Sequence, residues 1–139
     1  MMNVRRASAT WKGTGKEGTG TVSTQSTALN NIQFSYGSRF EEGVGTNPEE
    51  LVGAAHAGCY SMKLSFLIVA DGFVAESINT SAKVTLDQGK ITTVDLTVKA
   101  KVPGMSAEQF EAAAQNAKEN CPISKSLNAD ITLNATLEA

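Results

Sequence analysis

The most strongly patterned segment of the chain runs from residue 48 to residue 70 and predicts a helix. Its main apolar stripe recurs at steps of three and four residues, which is the spacing of one helix face: Leu51, Ala55, Cys59, Met62, Phe66 and Val69. Other apolar residues widen this stripe nearly all round, so we expect the helix to be central and buried on most sides. A small domain has difficulty covering such a helix alone, which indicates a second subunit.

Both ends of this helix carry recognisable end signals. Asn47 is a suitable N-cap, and Pro48 suits the first helical position because its missing N–H costs nothing there. Glu49 and Glu50 lie in the first turn, where acidic side chains are favoured. Glu50 is the third residue of the helix, as the acidic residue of a capping box is. Gly72 lies just beyond the predicted end, where a C′ glycine is common.

Alternating apolar and polar positions predict strands on both sides of the helix. Ser106 and Gln109 form a second capping box, which begins a helix ending near residue 120, and Pro122 begins a further short helical turn. The predicted strands are three before residue 40, an antiparallel hairpin over residues 78–102 and one over residues 131–137. This order predicts an α+β fold in a single domain over residues 1–139.

Composition narrows the class of protein. The chain has 139 residues, 41% of them hydrophobic and 19% charged, with a net charge of -2. These values are typical of one globular domain, and the absence of a basic patch argues against a nucleic-acid partner. We expect no secretory signal at the N-terminus, and the run LSFLIVA is too short to span a bilayer. The sequence therefore predicts a soluble cytoplasmic protein with no membrane partner.

The two cysteines are open to several interpretations. In a reducing compartment they indicate thiol chemistry, metal binding or simple burial. Cys59 lies on the main apolar stripe, as a small core residue does. Cys121 precedes Pro122 at a helix junction, where outward N–H groups lower the pKa of a thiolate.

Two further residues carry possible chemistry. His56 lies three residues before Cys59, and it could be a base for that thiol, a zinc ligand with both cysteines, or a satisfied polar residue near the surface. We favour the last interpretation. Arg39 lies between a strand and the helix start, where arginines are usually exposed. Its guanidinium can nevertheless donate two hydrogen bonds to a carboxylate and still face a thiolate.

Three stretches closely resemble one known family: TVSTQSTALN, RFEEGVGTNPEELVGAAHAGCYSM and ENCPISKSL. Together they resemble the OsmC branch of the OsmC/Ohr family of osmotically inducible thiol peroxidases. The resemblance is collinear over essentially the whole chain. It implies an OsmC-like fold with two antiparallel β-sheets around a long central helix, in an intertwined homodimer. It also implies a peroxidase that prefers organic hydroperoxides and acts in oxidative and osmotic stress.

The resemblance also implies the site residues. The peroxidatic cysteine falls on Cys59, the resolving cysteine on Cys121, the arginine on Arg39 and the glutamate on Glu49. No bound cofactor or metal is implied, but an external dithiol must reduce the Cys59–Cys121 disulfide. Tyr60 and its near neighbour Gly58 depart from the phenylalanine and alanine of many relatives, which adds a hydroxyl near the pocket and bears on substrate preference.

Helix geometry then favours a shared site. Glu49 and Cys59 are separated by roughly 15 Å of helix rise, so one chain cannot easily bring Glu49, through Arg39, to its own Cys59. We expect Arg39 and Glu49 to act on the Cys59 of a partner chain. Two alternatives remain: a zinc-binding protein, and a non-catalytic dimeric protein that binds apolar small molecules.

Overall fold

The computed structural model describes residues 2–138, which divide into two compact units with the boundary after Leu51. The first unit contains a three-stranded antiparallel sheet in the order β1-β2-β3, followed by a short helix α1. Their bounds are β1 Ala7–Lys12, β2 Thr19–Thr24, β3 Ile32–Phe34 and α1 Tyr36–Phe40. The three predicted strands are confirmed. A single domain over residues 1–139 stays a prediction, and its two terminal residues lie outside the described range.

Helix α1 was not predicted, and it places Arg39 on a helix rather than on a loop. Ser35 and Ser38 cap its start reciprocally, because each side chain bonds the backbone N–H of the other. The Ser38 hydroxyl also donates to the Thr46 carbonyl at 2.7 Å, and the Asn47 amide donates to the Ser38 carbonyl at 3.1 Å. These bonds fix α1 against the start of the next helix.

Helix α2 spans Pro48–Ala70, with the ends that the sequence predicts. The Asn47 side chain accepts the N–H of Glu50 at 2.8 Å, so it is the N-cap. The Glu50 carboxylate accepts a hydrogen bond from the Thr46 hydroxyl at 2.7 Å. Gly72 has φ 92°, and its N–H bonds the Val69 carbonyl at 2.9 Å, which ends the helix.

The buried face of α2 differs from the predicted stripe. Its buried residues are Gly53, His56, Tyr60, Leu64 and Ile68. The side chains of Met62, Phe66 and Val69, which we call the outer face, are 63%, 66% and 58% exposed in the single chain. The expectation of a helix buried on most sides is therefore wrong for one chain. By length and composition α2 could also cross a membrane, but its buried face packs into a protein core.

The second unit contains one sheet and two helices. Their bounds are β4 Ser77–Asp87, β5 Lys90–Lys101, α3 Ala107–Asn120, α4 Pro122–Ser126 and β6 Asp130–Glu138. Strands β4 and β5 form the predicted antiparallel hairpin, in which Gln88 and Gly89 adopt φ 52° and 82°, as a tight hairpin turn requires. Strand β6 pairs with β5 in parallel, so the prediction of two antiparallel sheets is wrong here. The crossover through α3 and α4 returns the chain to the same end of the sheet, which makes the parallel pairing possible.

The core of the second unit lies between this sheet and helices α2 and α3. Strand β5 buries alternate residues, from Val94 to Ala100, and α3 buries Phe110 and three alanines. The predicted capping box of Ser106 and Gln109 starts α3 and is confirmed. Helix α3 ends at residue 120, so the helix pair α3 and α4 is separated by Cys121 alone.

Candidate active site

The two cysteines lie side by side in the second unit. The sulfur atoms of Cys59 on α2 and Cys121 are 3.0 Å apart, and both thiols are free. Cys121 is fully buried between α3 and α4, and its N–H bonds the Ala117 carbonyl at 2.9 Å. Cys59 is partly exposed and packs against the buried core. We call these residues the thiol pair. A disulfide needs sulfurs at about 2.05 Å, so a shift of about 1 Å would join them.

The surroundings of Cys59 keep it protonated. Burial raises the pKa of the Cys59 thiol, and the hydrogen bond with Cys121 raises it further. The backbone N–H of Ile123 hydrogen-bonds the Cys59 sulfur and lowers this pKa, and the charge of Lys63 lowers it as well. Since the net direction is upward, the thiol pair needs a further cation to supply a thiolate near neutral pH.

Arg39 and Glu49 form a second pair, in the first unit. Arg39 Nε lies 2.7 Å from Glu49 Oε1, and the two side chains are 39% and 14% exposed. The Arg39 guanidinium also lies over the ring of Phe40, 5.0 Å from its centroid. We call Arg39 and Glu49 the charge pair. An ion pair with a carboxylate is the partnership that the sequence allows for Arg39.

The structure therefore places the four predicted site residues in two pairs, the charge pair in the first unit and the thiol pair in the second. Glu49 and Cys59 are borne by the same continuous helix, α2, ten positions apart. At about 1.5 Å per residue, the helix separates them by roughly 15 Å along its axis.

His56 is fully buried, and the prediction of a place near the surface is wrong. Its Nε2 lies 2.7 Å from the Ser124 hydroxyl on α4, and its Nδ1 has no hydrogen-bond partner within residues 2–138. Burial lowers the pKa of His56, so the ring is neutral. The prediction is wrong because His56 lies on the buried face of α2 with Tyr60, four residues later, rather than on the partly exposed face with Cys59.

The zinc interpretation lacks a ligand set in the described part of the chain. Across residues 2–138, no three His, Cys, Asp or Glu side chains are grouped so that they could hold a metal ion.

The structure also shows site neighbours that the sequence did not indicate. The sequence pattern does not indicate Ser124 or Ile123; it indicates only a short helical turn that begins at Pro122. Tyr60 was expected to place a hydroxyl near the pocket, but it is fully buried and donates to the Ala114 carbonyl of α3 at 3.1 Å. A side chain at Gly58 would meet open space.

Comparison with known proteins identifies the family of this chain. The family model described as OsmC-like protein matches residues 41–136. The chain belongs to the OsmC-like family. It is 45% identical to the peroxiredoxin OsmC of Escherichia coli K12 over 97% of each chain. It is also 36% identical to the organic hydroperoxide resistance protein OhrA of Bacillus subtilis, covering 63% of this chain and 65% of that protein. The family predicted from the sequence is confirmed.

Solved structures of the family share the fold. An OsmC-like protein from Mycoplasma pneumoniae aligns over 100% of both chains with a TM-score of 0.75 at 13% identity. An OsmC-like protein of unknown function from Vibrio cholerae covers 96% of this chain and 99% of its own, with a TM-score of 0.72 at 22% identity. These likenesses show the fold alone, and the predicted α+β, OsmC-like fold class is confirmed.

Proposed function

We propose that this protein is a thiol-dependent peroxidase that reduces organic hydroperoxides to alcohols. The observation that carries the proposal is the thiol pair: two free sulfur atoms 3.0 Å apart, one of them partly exposed. The names of the relatives, peroxiredoxin OsmC and organic hydroperoxide resistance protein, support a peroxidase role for the family to which the chain belongs.

In the proposed reaction Cys59 reacts with the peroxide, and Cys121 then reacts with the oxidised Cys59. The Cys59 thiolate attacks the distal peroxide oxygen, so an S–O bond forms and the O–O bond breaks. The leaving alkoxide takes a proton to become the alcohol, and Cys59 becomes a sulfenic acid. The Cys121 thiol then displaces water from that sulfenic acid, which forms the disulfide. An external dithiol reduces the disulfide by thiol exchange and restores both thiols.

The raised pKa of Cys59 makes a cation necessary, and Arg39 is the candidate. Arg39 held by Glu49 can stabilise the thiolate and hydrogen-bond the peroxide oxygens as charge develops on the leaving group. Because Glu49 lies roughly 15 Å along α2 from Cys59, we assign the charge pair to the Cys59 of the partner chain in a homodimer. The exposed outer face of α2, Met62, Phe66 and Val69, supports such a dimer, because exposed apolar patches commonly mark interfaces.

The environment of Cys59 favours an alkyl hydroperoxide over hydrogen peroxide, because Cys59 packs against apolar core residues. We also propose a cytoplasmic location and a role in oxidative and osmotic stress, which the family resemblance supports. Cell fractionation, and survival of a deletion strain under cumene hydroperoxide or salt, test them.

Peroxide-dependent oxidation of a dithiol tests the reaction. Wild type should turn over cumene hydroperoxide faster than hydrogen peroxide, and Cys59→Ser should abolish turnover with both. Cys121→Ser should form the Cys59 sulfenic acid but not the disulfide. Absence of turnover by wild type with either substrate contradicts the proposal. Stoichiometric zinc in protein purified without chelators would favour the zinc alternative, and unchanged behaviour of Cys59→Ser would favour the non-catalytic binding protein.

Mixed dimers test the shared site. Pairing a Cys59→Ser chain with a Glu49→Ala chain leaves one complete site if the charge pair acts in trans, so about half of the wild-type activity should return. The matched control puts both substitutions on one chain and pairs it with wild type, which should be inactive. The opposite pattern, an inactive first dimer and a half-active control, shows that the charge pair acts within one chain.

A further inference from the structure

His56 and Ser124 form a buried contact that the proposed reaction does not use. His56 Nε2 lies 2.7 Å from Ser124 Oγ, which links α2 to the short helix α4. The ring is fully buried, and its Nδ1 has no partner within residues 2–138. An apolar side chain of similar volume would fill this space without the unpaired Nδ1, but it would remove the bond to the Ser124 hydroxyl. The bond to Ser124 is therefore the feature that distinguishes histidine from an apolar core residue here.

This contact lies one helical turn from the thiol pair on α2 and three residues from it on the other segment. His56 lies three residues before Cys59 on α2, and Ser124 lies three residues after Cys121, within α4. Two contacts therefore join α2 to the segment that begins at Cys121. One is between His56 and Ser124, and the other is between Cys59 and Cys121.

The position of Cys121 depends on how the segment that follows it is held. Cys121 is the single residue between α3 and α4, and its own side chain makes no cap for α4. Helix α4 has five residues, none of them fully buried, and it packs against the core through the partly buried Ile123. A bond from the buried face of α2 to Ser124 restrains this short helix, and with it the direction of the Cys121 side chain.

We propose that His56 is a positioning residue for the resolving step, which it serves by holding Ser124 so that Cys121 stays beside Cys59. The inference rests on the proposed function. In that step the Cys121 thiol sulfur bonds the Cys59 sulfur, the S–O bond of the sulfenic acid breaks, and the oxygen leaves as water with the thiol proton. Hydroperoxide is the oxidant for the preceding step. His56 touches neither the peroxide nor the reacting sulfurs.

The experiment separates the two steps of one turnover. Reduced protein is mixed with cumene hydroperoxide and quenched at intervals with a sulfenic-acid trap and a thiol-blocking reagent, and mass spectrometry counts sulfenic acid and disulfide. In His56→Leu and Ser124→Ala, sulfenic acid should form at the wild-type rate. Disulfide formation should slow by about tenfold or more, since small misplacements of reacting groups cost up to about 100-fold. Excess hydroperoxide should then produce more sulfinic acid than in wild type.

Rescue and control variants distinguish positioning from a general loss of stability. His56→Gln can place a polar atom near the Nε2 position and should recover most of the disulfide rate, as should Ser124→Thr. Ser61→Ala is the matched control, because Ser61 also makes a 2.7 Å side-chain bond from α2, to Thr80 of β4. It should leave both rates unchanged. Ser124→Ala keeps the test available if His56→Leu fails to fold.

Three outcomes overturn the inference. Disulfide formation at the wild-type rate in both His56→Leu and Ser124→Ala shows that the contact does not position Cys121. An equal fall of both rates, with no rescue by His56→Gln, shows a structural role alone. Absence of both sulfenic acid and disulfide in wild type refutes the proposed peroxidase itself and is distinguishable from the first two results.

Discussion

Removing the hydroxyl of Tyr60 should change how the stability of the protein depends on alkaline pH. Tyr60 is fully buried, and its hydroxyl donates to the Ala114 carbonyl at 3.1 Å. Burial raises the pKa of Tyr60 above its usual value, and the charge of Glu111 raises it further. Tyr60→Phe removes both the hydrogen bond and the titrating group while it leaves the ring in place.

The size of the effect follows from these two losses. Near neutral pH the lost bond should cost about 1 kcal/mol, because a buried hydrogen bond contributes about 0.5–1.5 kcal/mol net. In the unfolded chain a tyrosine releases its proton at a pKa of about 10, whereas folded Tyr60 still holds it. The folded state of wild type therefore loses stability above this pH, by about 1.4 kcal/mol per pH unit. Phe cannot titrate, so the advantage of wild type should vanish near pH 11.

Urea denaturation at a series of pH values from about 8 to about 11 measures this difference. Both chains should carry Cys59→Ser, because burial also raises the pKa of that thiol and its oxidation would confuse the transition. Ser61→Ala is the control, since it removes a hydroxyl bond from the same helix without removing a titrating group. Parallel stability curves for Tyr60 and Tyr60→Phe chains across this range would refute the reasoning.

Three further predictions concern the charge pair, the end of α2 and its outer face. Glu49→Gln should lower kcat/KM for cumene hydroperoxide by about tenfold or more while unfolding free energy changes by less than about 1 kcal/mol. Gly72→Ala should cost about 1–2 kcal/mol in denaturant unfolding because φ is 92° there, whereas Gly58→Ala, in open space within the helix, should stabilise by about 0.5–1 kcal/mol. Phe66→Glu should give a folded monomer by analytical ultracentrifugation with no peroxidase activity; a dimer of wild-type activity would contradict the shared site.

Local chemistry made the ends of the long helices predictable from the sequence. Asn47, Pro48 and Gly72 each act within one turn of the chain, so their side-chain and backbone preferences are visible without the fold. The same holds for the capping box that starts α3. Helix α1 was missed because Ser35 and Ser38 form a short capping box with no apolar stripe behind it.

Long-range features could not be read in this way. The apolar residues of α2 surround the helix nearly completely, so hydropathy could not choose between the face of Leu64 and the face of Phe66, and it misplaced His56. Strand alternation carries no direction, so β6 could not be assigned as parallel before the crossover was known. The contact between Cys59 and Cys121 joins segments far apart in the chain, and only the family resemblance indicated that the two thiols meet.

The parallel pairing of β5 with β6 has a consequence for synthesis of the chain. Strand β6 leaves the ribosome after α3 and α4, and its pairing with β5, which begins with Thr93 opposite Asp130, completes the second sheet. Until that pairing forms, the segment bearing α3 and α4 is tethered at one end only, and Cys121 has no fixed place beside Cys59. If a nascent chain is exposed to an oxidant at this stage, its Cys59 therefore has no resolving thiol beside it. Chains still being translated should be more sensitive to irreversible cysteine oxidation than finished molecules.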